Sequence, residues 1–129
     1  MDIQELAARA NTTAKEHGWW ESEERNIGEL CMLAVTELAE AFEEIRKDGN
    51  PALVYYIKSG IAYDVDYSTL LNPPTEIKPE GYLVEIADVF IRLTDTLEQW
   101  GLTAKFQAAL EWKLRYNDTR PYRHGNKAA

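Results

Sequence analysis

The chain has 129 residues with 22 acidic against 14 basic side chains, a formal net charge of −8. That balance excludes a protein that tracks a nucleic-acid backbone, which needs a basic face, and disfavours docking on an anionic membrane surface. Hydrophobic residues make up 45% of the chain, including four Trp and seven Tyr, which suits one packed domain over 1–129. The single Cys31 excludes an internal disulfide and a multi-cysteine zinc site, and its apolar helical neighbours mark it as a small buried hydrophobe. Asp2 and Glu5 at the N-terminus, with no apolar run of membrane-span length, lead to the expectation of a cytoplasmic protein that does not enter membranes.

In chain order, Asp2 to His17 reads as a first helix. Asp2 is placed to cap it, Ile3, Leu6, Ala7 and Ala10 recur at helical spacing, and Gly18 sits where a terminating glycine belongs. The adjacent Trp19 and Trp20 cannot both face one core from a helix. Either both pack at a helix corner, or one packs while the other lines a cleft. Asn26 with Glu29 makes a capping-box-like start for a second helix, which Gly49 and Pro51 close after Asp48. A turn of 100° per residue puts Ile27, Cys31, Ala34, Leu38, Ala41, Phe42 and Ile45 on one apolar face, with Leu33, Glu37, Glu40 and Glu44 in a stripe beside it.

Residues 51–81 read as an irregular inserted segment, with a short helix over Pro51 to Ser59 and a loop from Gly60 to Gly81 broken by Pro73, Pro74 and Pro79. Asp64-Val65-Asp66 suggests a calcium loop, but Thr69 and Thr75 stand where that loop needs glycine and glutamate, so it is rejected. A third long helix runs from about Glu80 to Trp100 and stops at Gly101. Thr103 caps a fourth from Ala104 to about Tyr116, and 117–129 form a basic, proline-broken tail. The expected class is all-α.

Two acidic pairs stand out: Glu37-x-x-Glu40 on the second helix and Glu85-x-x-Asp88 on the third. Carboxylates at i and i+3 share a helix face and can share a hard cation. The third helix is apolar almost all round, so its carboxylates are expected to be buried, which is costly unless they are paired or hold a metal. The alternatives are salt bridges with residues such as Arg46 or Arg92, and plain solvent exposure. All-carboxylate sites suit magnesium or manganese. A di-iron bundle would need Glu-x-x-His pairs, and His17 and His124 both lie outside the acidic helices. No P-loop, dinucleotide fingerprint or nucleophile elbow is present. Magnesium-assisted hydrolysis of a phosphate substrate is the chemistry left standing.

Glu37-x-x-Glu40 followed by Glu85-x-x-Asp88 resembles the signature of the MazG-like, all-α nucleoside triphosphate pyrophosphohydrolases. Gly18-Trp19-Trp20, Arg46-Lys47 after the first pair, Lys78-Pro79-Glu80-Gly81 before the second, and Tyr116-Asn117-x-x-Arg120-Pro121-Tyr122-Arg123-His124-Gly125 extend the similarity over nearly the whole chain. The longer interval between the pairs departs from compact members. The resemblance implies a helical bundle of four to five helices, active as a homodimer or homotetramer, that cleaves an NTP or dNTP between the α- and β-phosphates to a monophosphate and pyrophosphate. It further implies Mg²⁺ (or Mn²⁺) held by Glu37, Glu40, Glu85 and Asp88, with Glu37 or Glu40 directing the attacking water. Glu43 and Glu44 are implied as outer helpers. Lys113, Asn117, Arg120 and Arg123 become the phosphate or base contacts, and Trp20 a stacking partner for the base. The competing expectations are a phosphoribosyl-ATP pyrophosphohydrolase-like enzyme and a non-catalytic acidic helical partner protein.

Overall fold

A computed structural model describes residues 1–21 and 25–122. Its elements are α1 (Ile3–Glu16), α2 (Ile27–Asp48), β1 (Tyr55–Lys58), β2 (Ile61–Asp64), α3 (Tyr67–Leu71), α4 (Tyr82–Gln99) and α5 (Thr103–Thr119). The helical class expected from the periodicity is present, with one two-stranded sheet added to it. None of these helices is long and apolar enough to cross a membrane.

The capping chemistry follows the sequence closely at α1 and α2. The Asp2 carboxylate accepts from the Glu5 amide at 2.8 Å, and the Asn26 side chain accepts from the Glu29 amide at 2.8 Å, each satisfying one orphan donor of the first turn. Gly49 ends α2 at φ 79°, its N–H bonded to the Ile45 carbonyl at 2.7 Å. Thr103 departs from expectation. Its hydroxyl donates to Glu98 at 2.7 Å instead of capping α5, whose first turn has no side-chain cap. The basic tail also begins later than expected, because α5 continues through Thr119.

The short helix expected from Pro51 to Ser59 is instead a strand, and the loop beyond it contains β2 and α3. Ser59 and Gly60 are the cause. With φ of 52° and 78° they form a two-residue left-handed turn whose twist suits a hairpin. The register pairs Tyr55 with Asp64, Tyr56 with Tyr63, Ile57 with Ala62 and Lys58 with Ile61. Tyr56 and Tyr63 stack at 5.3 Å, a cross-strand pair of the kind that holds an isolated hairpin in register. Asp66, once the candidate calcium ligand, caps α3 by accepting from the Thr69 amide and the Ser68 hydroxyl, each at 2.8 Å. Those bonds hold its carboxyl below the usual range.

The hairpin is tied to the start of α4. Tyr55 and Glu80 exchange backbone hydrogen bonds of 3.1 and 2.8 Å, and Val54 is buried beneath them. Gly81, at φ 124°, lies so close to the Leu53 carbonyl that a Cβ would collide with backbone. Gly81→Ala is therefore expected to destabilise the fold by about 2–3 kcal/mol, combining strain with the clash. A urea melt that leaves the midpoint unmoved would refute that account.

Helix α4 is the hub, packing on α1, α2 and α5. The buried apolar residues are mostly small: Ala7, Ala10, Leu30, Ala34, Ala41 and Val54. Among the described residues no large side chain is fully enclosed. Here the structure corrects two expectations. Within one chain α4 is not buried all round, since Leu83, Phe90, Ile91 and Leu93 are exposed and Thr94 is its one buried residue. The face of α2 that turns inward carries Leu30, Ala34, Glu37 and Ala41, while Ile27, Cys31, Leu38 and Phe42 face outward. Of the acidic stripe Glu37 turns inward beside Ala34 and Ala41 of the apolar face, Glu40 stays exposed, and the large apolar residues of that face are mostly uncovered.

Candidate metal centre

Glu37 sits on α2 between Ala34 and Ala41, which lie one turn before and one turn after it on the same face. Those two methyl side chains present little bulk toward α4, and Glu37 itself is only 7% exposed. Glu40 follows one turn on and is exposed. Across from them, Glu85 and Asp88 lie in the first half of α4, both half-buried. Carboxylate oxygens of Glu37, Glu40 and Glu85 all lie within 4.8 Å of one another. Asp88 stands close enough for the Glu37 and Glu40 charges to raise its pKa.

Glu85 carries the clearest electrostatic mark of this crowding. Desolvation, a hydrogen bond shared with Glu40 and the charges of Glu40, Asp88 and Glu37 push its pKa up to about 7. The Asp88 carboxyl is raised mainly by desolvation and then by Glu37, with Arg92 and Lys78 opposing. Like charges this close resist joint ionisation, and the group could hold a cation. Three all-oxygen side chains on one point match the donor preference of magnesium or manganese.

A second acidic group shares Glu85: its oxygens, with those of Glu44 and Glu80, also fall within 4.8 Å. The hairpin assembles it. The Tyr55 hydroxyl donates to Glu44 at 2.8 Å, while the backbone of Tyr55 holds Glu80. Burial and the Glu44 carboxylate push the Tyr55 hydroxyl up to about 12. Glu43 points elsewhere and pairs with Arg46 at 2.8 Å on the surface.

Arg92 is the cation already present. Its Nε donates to Glu37 Oε1 at 2.6 Å, and its guanidinium lies 5.9 Å from the centroid of the Trp19 ring. The salt-bridge alternative is thus realised at one oxygen of Glu37, and in the second group Glu44 pairs with Lys47 at 3.6 Å and Glu80 with Lys78 at 3.4 Å, while Glu85 shares a hydrogen bond with Glu40. Arg92, one turn beyond Asp88, is one of the two arginines that the sequence offered as an ion-pair partner for the acidic pairs.

From the acidic cluster a cleft of about 260 Å³ extends between α1, α2 and α4, lined by Trp19, Arg25, Glu37, Asp88, Arg92 and Asp95 among others. The tryptophan pair divides its roles. Trp19 is 53% exposed and lines the cleft. Trp20, the residue expected to stack on a base, packs edge-on against Trp100 at 6.3 Å and donates its indole N–H to Asp95 at 2.9 Å. Arg25 spans the two, its guanidinium 5.2 Å from the Trp20 centroid and 3.4 Å from the Trp19 carbonyl.

No family model matches the chain, and neither a curated protein nor a solved structure shows significant similarity to it.

The candidate phosphate contacts are not brought to this cleft. Lys113 and Arg120 lie 5.0 and 5.7 Å from the ring of Tyr116 on α5, and neither they nor Asn117 line it. Arg123 lies outside the described residues. Residue charge made them candidates, but charge carries no information about which end of a helix meets which cleft.

Proposed function

We propose that the chain is a magnesium-dependent nucleoside triphosphate pyrophosphohydrolase of the MazG-like kind, yielding a nucleoside monophosphate and pyrophosphate. The observation that carries this reading is the convergence of Glu37, Glu40 and Glu85 from two helices, with Asp88 beside them. Magnesium or manganese held by these carboxylates would supply Lewis-acid neutralisation of the phosphates. Glu40 is the carboxylate best placed to accept the proton of the attacking water. It is exposed, whereas Glu37 is buried and has one oxygen engaged by Arg92. Arg92 and Arg25 line the same cleft and suit phosphate oxygens, which favour guanidinium forks.

The active species in this reading is a homodimer or homotetramer. Ile27, Leu38 and Phe42 on α2 and Leu83, Phe90 and Leu93 on α4 are all exposed in a single chain. An apolar groove of about 520 Å³ lies between α1, α2, α4 and α5, with Ile3, Ile27, Phe90, Leu97, Trp100 and Phe106 on its walls. Uncovered apolar surface on this scale marks a protein interface, and a second copy supplies matching apolar helices. Lys113, Asn117 and Arg120 would then reach substrate from the partner's α5.

The test is a panel of NTPs and dNTPs incubated with Mg²⁺, with monophosphate and pyrophosphate measured separately. Turnover of at least one member, abolished by EDTA, is expected. If nothing is turned over and magnesium leaves the melting temperature unchanged, the acidic pairs are ion-pairing groups of a non-catalytic helical protein.

A further inference from the structure

Seven residues beyond Asp88 on α4, at the far end of the cleft, stands a second half-buried carboxylate, Asp95. It belongs to neither acidic cluster. Its Oδ1 accepts from Asn11 Nδ2 at 2.9 Å and from Trp20 Nε1 at 2.9 Å, which uses both lone pairs. Among the described residues its Oδ2 has only a longer share of the same indole N–H, at 3.2 Å, and keeps acceptor capacity. The carboxylate is held rigidly. Asn11 is 5% exposed and is itself fixed by a second bond to Gln99 at 3.0 Å. Exposed Trp19 offers a flat apolar wall in the same cleft, and aromatic faces accept any base.

We infer that Asp95 selects the base of the nucleotide, favouring cytosine, adenine or guanine, which carry an exocyclic amino group, over uracil and thymine. The inference rests on the pyrophosphohydrolase reading and deepens it. Asp88 and Asp95 lie about two turns, roughly 10 Å, apart along one helix. That separation leaves room for the sugar and α-phosphate between a base at Asp95 and phosphates at the acidic cluster. An ionised carboxylate only accepts hydrogen bonds. An amino group satisfies it, whereas uracil and thymine present an N–H flanked by two carbonyl oxygens that it repels. Such mismatches of buried polar groups discriminate far more strongly than differences of apolar shape.

The experiment is titration calorimetry of the full chain, with Mg²⁺, against the α,β-imido analogues of dCTP, dATP, dGTP, dTTP and dUTP. At least one amino-bearing analogue is expected to bind tenfold or more tightly than the dUTP and dTTP analogues. Asp95→Asn still accepts from Asn11 and Trp20 through its oxygen but turns an NH₂ toward the base. It is expected to move that ratio at least tenfold toward uracil and thymine while leaving the magnesium-induced rise in melting temperature intact. Equal wild-type binding of all five analogues, or an unchanged ratio in a folded Asp95→Asn protein, would overturn base selection and leave the enzyme reading standing. If none of the five binds, both fall. Should Asp95→Asn not fold, the wild-type ratio decides alone.

Discussion

Replacing Glu85 by Gln is expected to remove the protein's response to magnesium and to lower turnover by more than roughly 100-fold. Glu85 belongs to both acidic groups, so its loss cannot be covered by a neighbour. At a metal concentration about a hundredfold above Kd, the wild-type chain gains about 2.7 kcal/mol, on the order of 10 °C in melting temperature for a chain of this size. The variant gains nothing.

The metal-free behaviour runs the other way and has a definite sign. The Glu85 carboxyl has a folded-state pKa of about 7, above its ordinary 4.5. Between those values the native state holds a proton that the unfolded state has lost. This contribution is therefore present at the acidic end of the window, declines as pH rises through it and is flat above about 7. Asp88, also raised, adds in the same direction. Because Glu85 is only partly buried, solvent screening keeps the effect on the order of 1 kcal/mol. Magnesium must displace that proton, so its stabilisation is small at pH 6 and full at pH 8. Glu85→Gln flattens both profiles. Melts across this range, with magnesium and with EDTA, would sink the metal site if variant and wild type coincide throughout.

The second large effect concerns assembly. If the proposed oligomer forms, Phe42→Glu is expected to convert it to a monomer at micromolar concentration, seen by sedimentation, and to abolish turnover with it. Phe42 is 63% exposed in a single chain, and Ile27 on the same helix 66%. Burying one such side chain contributes about 1.5–3 kcal/mol, and a twofold interface counts every substitution twice. A loss of about 4 kcal/mol weakens association roughly a thousandfold. Because Phe42 lies on the outer face and Glu37 on the inner one, the isolated variant should still show the magnesium-induced rise in melting temperature. Wild-type protein sedimenting as a monomer would remove the assembly part of the functional reading and leave the carboxylate cluster to stand alone.

The local signals were strong where one residue type decides one geometry. Asp2, Asn26 and Gly49 mark helix ends because short-range hydrogen bonds and a left-handed φ are set by the residue itself. At the hairpin two local signals compete: Ser59-Gly60 between two short aromatic and β-branched runs carries a turn signature, while Pro51 and a weak helical spacing of Ala52, Leu53, Tyr56 and Ile57 point to a helix. Trp19 and Trp20 are indistinguishable as stacking residues in the sequence, because two adjacent aromatics look alike there. The Asp95 carboxylate, 75 residues away, is what draws one indole inward and leaves the other in the cleft.

By itself the sequence determined the helical class, the main helix limits within a few residues, and the four carboxylates as candidates for one hard-metal site. Periodicity, capping and i, i+3 spacing are local properties, and the chain carries them wherever it goes. Only the tertiary structure decided which side of α2 faces α4. A wheel ranks faces by polarity and would bury Ile27, Leu38 and Phe42 along with Ala34 and Ala41, whereas the packed chain buries the two alanines with Glu37 and leaves the three large residues outside. Small residues let two helices approach with a carboxylate between them, and the energetic cost of that choice falls on contacts no single helix can report. The joining of Glu37 to Arg92, of Tyr55 to Glu44 and of Asn11 to Asp95 belongs to the same order. These partners stand 55, 11 and 84 residues apart in the chain, and only the folded path brings them within hydrogen-bonding distance.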